Sequence, residues 1–174
     1  MTYRVYIQLA QYIKDAVWVL NLDITDDSCY VLAESILGNA VPSDQPSLIV
    51  LVGLPASGKS TVTATYRDTH AVINYDTFRA ILFHDVTNQA HNQAIATLGS
   101  FVATWLCERR YNIVIDNVNL KRLYRNVWYN LATTHGYRIQ VHQPRVLLIQ
   151  CLRRNMRRER RVPLRVMLRL WWGF

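Results

Sequence analysis

Residues 48–52, Leu-Ile-Val-Leu-Val, form a continuous apolar run that stops at Gly53, and the chain then reads GLPASGKST to Thr61. An uninterrupted apolar run of this length is the pattern of a parallel strand buried on both faces. The following residues satisfy G-x-x-x-x-G-K-[ST], which in a strand, loop, helix context cradles phosphate. Gly53 and Gly58 permit a loop whose backbone N–H groups turn inward, and the next helix directs its positive end at the same spot. Gly53, Ser57, Gly58, Lys59, Ser60 and Thr61 are therefore the expected nucleotide-binding residues. Lys59 would reach the outer two phosphates of a nucleoside triphosphate such as ATP, and the Ser60 hydroxyl would hold Mg2+.

Three later runs have strand character: Ala71–Asn74, Asn112–Ile115 and Tyr137–Val141. Helical segments fall between them, one carrying Leu120, Leu123, Tyr124, Val127 and Leu131. Alternation of strand and helix predicts an α/β fold, a parallel sheet flanked by helices, with functional loops at the carboxyl ends of the strands. The cluster Pro42-Ser43-Asp44-Gln45-Pro46 marks the best boundary. It divides the chain into a small helical extension, residues 1–46, and a phosphate-binding domain, residues 47–174. In the extension Val5, Leu9, Tyr12, Ile13, Ala16 and Leu20 repeat at helical spacing. Thr25-Asp26-Asp27 could cap a second helix containing Val31, Leu32, Ile36 and Leu37.

Val86 to Cys107 carries no formal charge over 22 residues, about the length of a bilayer span. Five polar side chains crowd its first half, each costly in hydrocarbon. Ile95, Leu98, Val102 and Trp105 follow one helix face, so a core-packed helix is expected and no membrane association. Cys29, Cys107 and Cys151 lie far apart and are odd in number, which predicts a reducing, cytoplasmic setting; the N-terminus lacks the layout of a secretion signal.

The net charge is +8, and it is uneven. Residues 1–47 hold six carboxylates against two cations, whereas Arg138 to the end holds ten arginines and one Glu. Seventeen of the 20 basic residues are Arg, the side chain suited to forked recognition of phosphate. Arg153 to Arg161 contains six arginines in nine residues, which repel one another unless anions lie between them. A solvated basic helix face would give the same charge pattern.

A triphosphate site does not separate a motor, a switch and a kinase; a kinase must also seize a hydroxyl and deprotonate it. Asp76, in Asn74-Tyr75-Asp76-Thr77-Phe78-Arg79 after the second strand, is placed to act as a base, and a helix starting near Thr77 would aim Asp76 and Arg79 at one site. Asp76 as a plain helix N-cap accounts for the same residues. Asp116, in Asp116-Asn117-Val118-Asn119 after the third strand, is a candidate for indirect metal contact, with Asn119 as a turn residue capping the next helix.

Taken together, GLPASGKST, INYDTFR (Ile73 to Arg79), IDNVNL (Ile115 to Leu120) and RNMRR (Arg154 to Arg158) with Val162-Pro163 resemble the polynucleotide 5'-hydroxyl kinase family, over about Ser47 to Phe174. The resemblance implies a P-loop kinase fold and transfer of the γ-phosphate of ATP to the 5'-OH of DNA or RNA. Asp76 would match the general base, Arg79 and Asn117 the acceptor-binding residues, and Arg154, Arg157, Arg158 and Arg161 the lid. Arg158 would match the catalytic lid arginine, with Arg157 or Arg161 as alternatives, because the segment before Val162-Pro163 is a residue shorter than the family's pattern. Val118 stands where the family often has Thr. The D-x-D-G-T motif of the 3'-phosphatase domain does not occur, so that activity is not expected. Two other functions fit part of the pattern: a kinase for a small molecule or sugar nucleotide, resembling zeta-toxin or antibiotic phosphotransferases, and a nucleotide-dependent RNA-binding module without turnover.

Overall fold

The computed structural model describes residues 2–172. In chain order the elements are α1 (Thr2–Val19), α2 (Asp26–Leu37), β1 (Ser47–Leu51), α3 (Lys59–Tyr66), β2 (Ala71–Ile73) and α4 (Tyr75–Phe83). They continue with α5 (Asn92–Glu108), β3 (Ile113–Ile115), α6 (Arg122–Thr134), β4 (Arg138–His142), α7 (Leu148–Met156) and α8 (Leu164–Trp172). All four strands run parallel in the order β2-β3-β1-β4. Each crossover therefore passes over a face of the sheet, and the carboxyl ends of β1, β2 and β3 open side by side.

The period-2 pleat sorts the side chains of the apolar run in β1. Leu48 and Val50 enter the large core, whereas Ile49 and Leu51 join Val72 and Val114 in a small cluster covered by Val62 and Tyr66 of α3. The large core also takes in the N-terminal helices. Leu9, Ile13, Leu32 and Ile36 are fully buried, α1 packs on α2 and α5, and α2 packs on α4 and β2. Thr25 caps α2, its hydroxyl accepting from the Ser28 N–H at 3.3 Å. Val31, by contrast, is half exposed. The Pro42–Pro46 segment is tied to the sheet domain: Pro42 forms an antiparallel bridge with Tyr111, and Arg110 donates to the Asp44 carbonyl.

The uncharged stretch becomes α5 only from Asn92, with Ile95, Leu98, Val102 and Trp105 buried as their spacing predicts. No helix among the described residues is long and apolar enough to cross a membrane. α6 departs from expectation. It turns Trp128 and Ala132 to the core, with Leu120 just ahead of it, and leaves Leu123, Tyr124 and Val127 on its outer side at 70%, 54% and 48% exposure. The helix has two apolar stripes, and the one holding the large indole takes the interior because it buries more area. β4 is one of the two edge strands, and most of its residues are exposed.

Candidate active site

The loop after β1 leads into α3 through Gly58, whose left-handed φ of +97° ends the turn and aims the helix N-terminus at the loop's concave side. A side chain at Gly53 would place its Cβ 2.7 Å from the Ser57 Oγ, so close packing also requires the first glycine. Lys59 folds back over the loop, its Nζ donating to the Gly53 and Leu54 carbonyls at 2.9 Å each. No carboxylate among the described residues forms an ion pair with it. Burial pulls its pKa below the ordinary lysine value, and attraction to Asp116 only partly offsets this. A buried ammonium bonded to neutral oxygens alone is built to receive an anion.

A cavity of about 1210 Å³ opens in front of the loop. Gly58, Lys59, Ser60 and Thr61 line it, as do Asp76, Arg79, Asp116, Asn117, Arg154 and Arg158. Ten of the residues singled out from the sequence thus share one chamber. Gly53 and Ser57 do not line it; they face the rear of the loop, where Pro144, Cys151 and Trp171 bound a separate cavity of about 160 Å³. Arg157 and Arg161 are also absent from the chamber and are exposed. The turn continuing α7 explains this: the Arg158 N–H donates to the Asn155 carbonyl, which keeps Arg158 one helical turn from Arg154 on the chamber side.

Asp76 is not the cap of α4. That role belongs to Asn74, whose side chain accepts from the Thr77 N–H at 3.0 Å, so the helix begins at Tyr75 rather than near Thr77. Asp76 stands in the first turn with its carboxylate 57% exposed. One oxygen lies 3.4 Å from the Arg79 Nη1, and the other accepts from the Arg160 Nη1 at 3.1 Å. Arg160, passed over in the sequence pattern, also donates to the Val86 carbonyl at 3.3 Å. The guanidinium of Arg79 is 11% exposed, and its Nε and Nη1 are buried without a hydrogen-bond acceptor. Such donors await an anionic partner.

The loop after β3 braces this corner. The Asn117 side-chain oxygen accepts from the Tyr75 N–H at 3.0 Å, and its Nδ2 is buried without a partner. Asn74 Nδ2 donates to the Asp116 carbonyl at 3.0 Å. Asn119 is not a helix cap: it adopts φ +46° and is buried, donating to the Leu51 carbonyl at 2.9 Å, while Lys121 starts α6 without a side-chain cap. Asn155 and Val162 exchange two hydrogen bonds, 2.8 and 3.0 Å, that close the arginine segment into a loop over the chamber. Neither Asn119 nor Asn155 carries a sequence signal for these ties, since both partners are distant or irregular.

Among the described residues there is no cluster of three or more His, Cys, Asp or Glu able to hold a metal. Mg2+ needs none when phosphate and water supply most of its ligands. The Ser60 hydroxyl and the Asp116 carboxylate, both facing the chamber, fit such a site.

A parallel sheet with a phosphate-binding loop at an interior strand, a basic chamber and an arginine loop defines a P-loop kinase-like domain. The chain belongs to the AAA domain family, which it matches over residues 48–171. It is 28% identical, over 138 residues and 71% of its length, to a candidate bifunctional polynucleotide kinase/RNA ligase of Autographa californica nuclear polyhedrosis virus, and it spans 20% of that protein. Two solved structures share the fold. One is from the PezAT chromosomal toxin-antitoxin system of Streptococcus pneumoniae, with TM-score 0.54, 21% identity, and coverage of 70% of this chain and 57% of that one. The other, the AvrRxo1-ORF1:AvrRxo1-ORF2 complex with sulphate ions, has TM-score 0.58 and 16% identity, covering 98% and 54% respectively.

Proposed function

We propose that this protein is an ATP-dependent polynucleotide 5'-hydroxyl kinase, transferring the γ-phosphate of ATP to the 5'-OH end of DNA or RNA. The observation that carries the reading is the pairing of Asp76 with the buried, unsatisfied guanidinium of Arg79 in the chamber that holds the phosphate loop. A carboxylate beside an anion-seeking arginine suits an alcohol flanked by a phosphodiester better than an isolated hydroxyl. The similarity to a viral polynucleotide kinase/RNA ligase supports the same choice.

In this mechanism the triphosphate enters the loop, and Lys59 leaves the Gly53 and Leu54 carbonyls for the outer phosphates. Arg79, with Asn117 Nδ2, takes the acceptor's first phosphate. Asp76 accepts the proton of the 5'-OH as its oxygen bonds to the γ-phosphorus and the bond to the ADP oxygen breaks. Arg154 and Arg158 stabilise the charge on the transferred group, Arg158 being the catalytic lid arginine. Mg2+, held by Ser60 and through water by Asp116, would neutralise charge on the β and γ oxygens.

The test is incubation with γ-labelled ATP and magnesium, offering 5'-OH DNA, 5'-OH RNA and small hydroxyl compounds in parallel. Label at oligonucleotide 5' ends is expected. Label on a small compound alone would replace this reading with a small-molecule kinase, and ATP binding with no labelled product at all would replace it with a non-catalytic module.

A further inference from the structure

The outward stripe of α6 has no core role, yet it is not scattered. Leu123, Tyr124 and Val127 are neighbours on one side of the helix, and two of them, Tyr124 and Val127, line the same chamber as Asp76 and Lys59. Isolated exposed apolar residues need no explanation, but an aromatic and an aliphatic side chain exposed side by side on the wall of a site chamber do. The surroundings are cationic. Five basic side chains, Lys59, Arg79, Arg154, Arg158 and Arg160, line the chamber against three carboxylates, and Lys121 and Arg122 stand exposed at the start of α6. Asn92, Gln93, Ala96 and Ser100 of α5, which also line the chamber, present no charge.

Guanidiniums that share a chamber with an exposed aromatic ring are the composition of a single-stranded nucleic-acid path, in which the cations track phosphates and the ring takes a base. A small acceptor would leave this wall wetted. We infer that Tyr124, backed by Val127, is a stacking platform for a base among the first few nucleotides of the acceptor strand, continuous with the phosphodiester site at Arg79. The inference rests on the proposed 5'-hydroxyl kinase reading and adds a determinant that selects strands over small hydroxyl compounds.

The experiment compares wild type, Tyr124→Ala and Tyr124→Phe on 5'-OH oligonucleotides that are intact or abasic at each of the first three positions in turn. Loss of one stacked base is worth about 5- to 100-fold in binding. The Ala variant should therefore raise KM for the intact oligonucleotide by that factor, with kcat and ATP affinity little changed, and Phe should restore it. One abasic position should impose the same penalty on wild type and none on the Ala variant. Equal KM in wild type and Tyr124→Ala, or a penalty that adds in full to the abasic one, would overturn the platform while leaving the kinase reading intact. A wild-type protein that labels no oligonucleotide would remove both.

Discussion

Gly99 lies inside α5, far in sequence from the chemistry, and a Cβ there would meet Tyr75 at 2.5 Å from Cε1, 3.1 Å from the hydroxyl oxygen and 3.2 Å from Cζ. Tyr75 cannot simply swing away. Its backbone N–H is held by Asn117, its ring also packs on Phe78, and it directly precedes Asp76. In an open helix, Gly99→Ala would stabilise by about 1 kcal/mol. Overpacking a buried contact costs about 1–3 kcal/mol, so the net change should be a loss of about 0–2 kcal/mol. The larger effect falls on the site: the first turn of α4 must shift by several tenths of an ångström, and a base displaced on that scale loses aim. Transfer should drop at least tenfold while ATP affinity holds, because no hydrogen bond among the described residues ties the phosphate loop to Tyr75. Urea unfolding together with γ-labelled transfer would read both quantities. A variant stabilised by the full helical gain, with unchanged turnover, would show that Tyr75 is not locked and that the reasoning is wrong.

Asp76→Asn should lower transfer by about 10²- to 10⁴-fold, the usual value of a positioned general base, with nucleotide binding preserved; a fully active variant contradicts the assigned role. Burial depresses Lys59 below its ordinary 10.5, so between its folded value and 10.5 the unfolded chain holds this proton more tightly. The free protein should gain stability from Lys59 as pH rises through that window. Bound triphosphate, which favours the charged form, should abolish the gain; melting curves of wild type against Lys59→Met, with and without nucleotide, would reveal it, and identical slopes would exclude it. All three thiols are buried and raised in pKa, Cys107 to about 12. None should react with iodoacetamide at neutral pH until denaturant is added, and a rapidly alkylated native thiol would contradict the packing.

What the sequence announced was local. An apolar run followed by a glycine-spaced loop specifies strand, turn and helix within fourteen consecutive residues, Leu48 to Thr61, and the 3-4-3 spacing of Ile95 to Trp105 specifies the buried face of α5. What it concealed depended on partners far along the chain or across an irregular loop. Asn119 serves a carbonyl 68 residues away, and Asn155 sets the lid loop's path by clasping Val162. Among six closely spaced arginines, charge alone cannot tell which one reaches back 84 residues to Asp76. The facing of α6 was hidden for a different reason: two apolar stripes compete, and only the three-dimensional neighbourhood of Trp128 decides between them.

The grip of Arg160 on the Asp76 carboxylate bears on idle ATP consumption. Water is always present at the γ-phosphate of a kinase, at a concentration no polymer end can approach. In the proposed enzyme both oxygens of that carboxylate are engaged by guanidiniums, which compete with a water molecule for the same oxygens, so nucleotide held without a strand would survive. On that reading an incoming phosphodiester would compete for the same arginines and free the carboxylate only when a legitimate recipient has arrived.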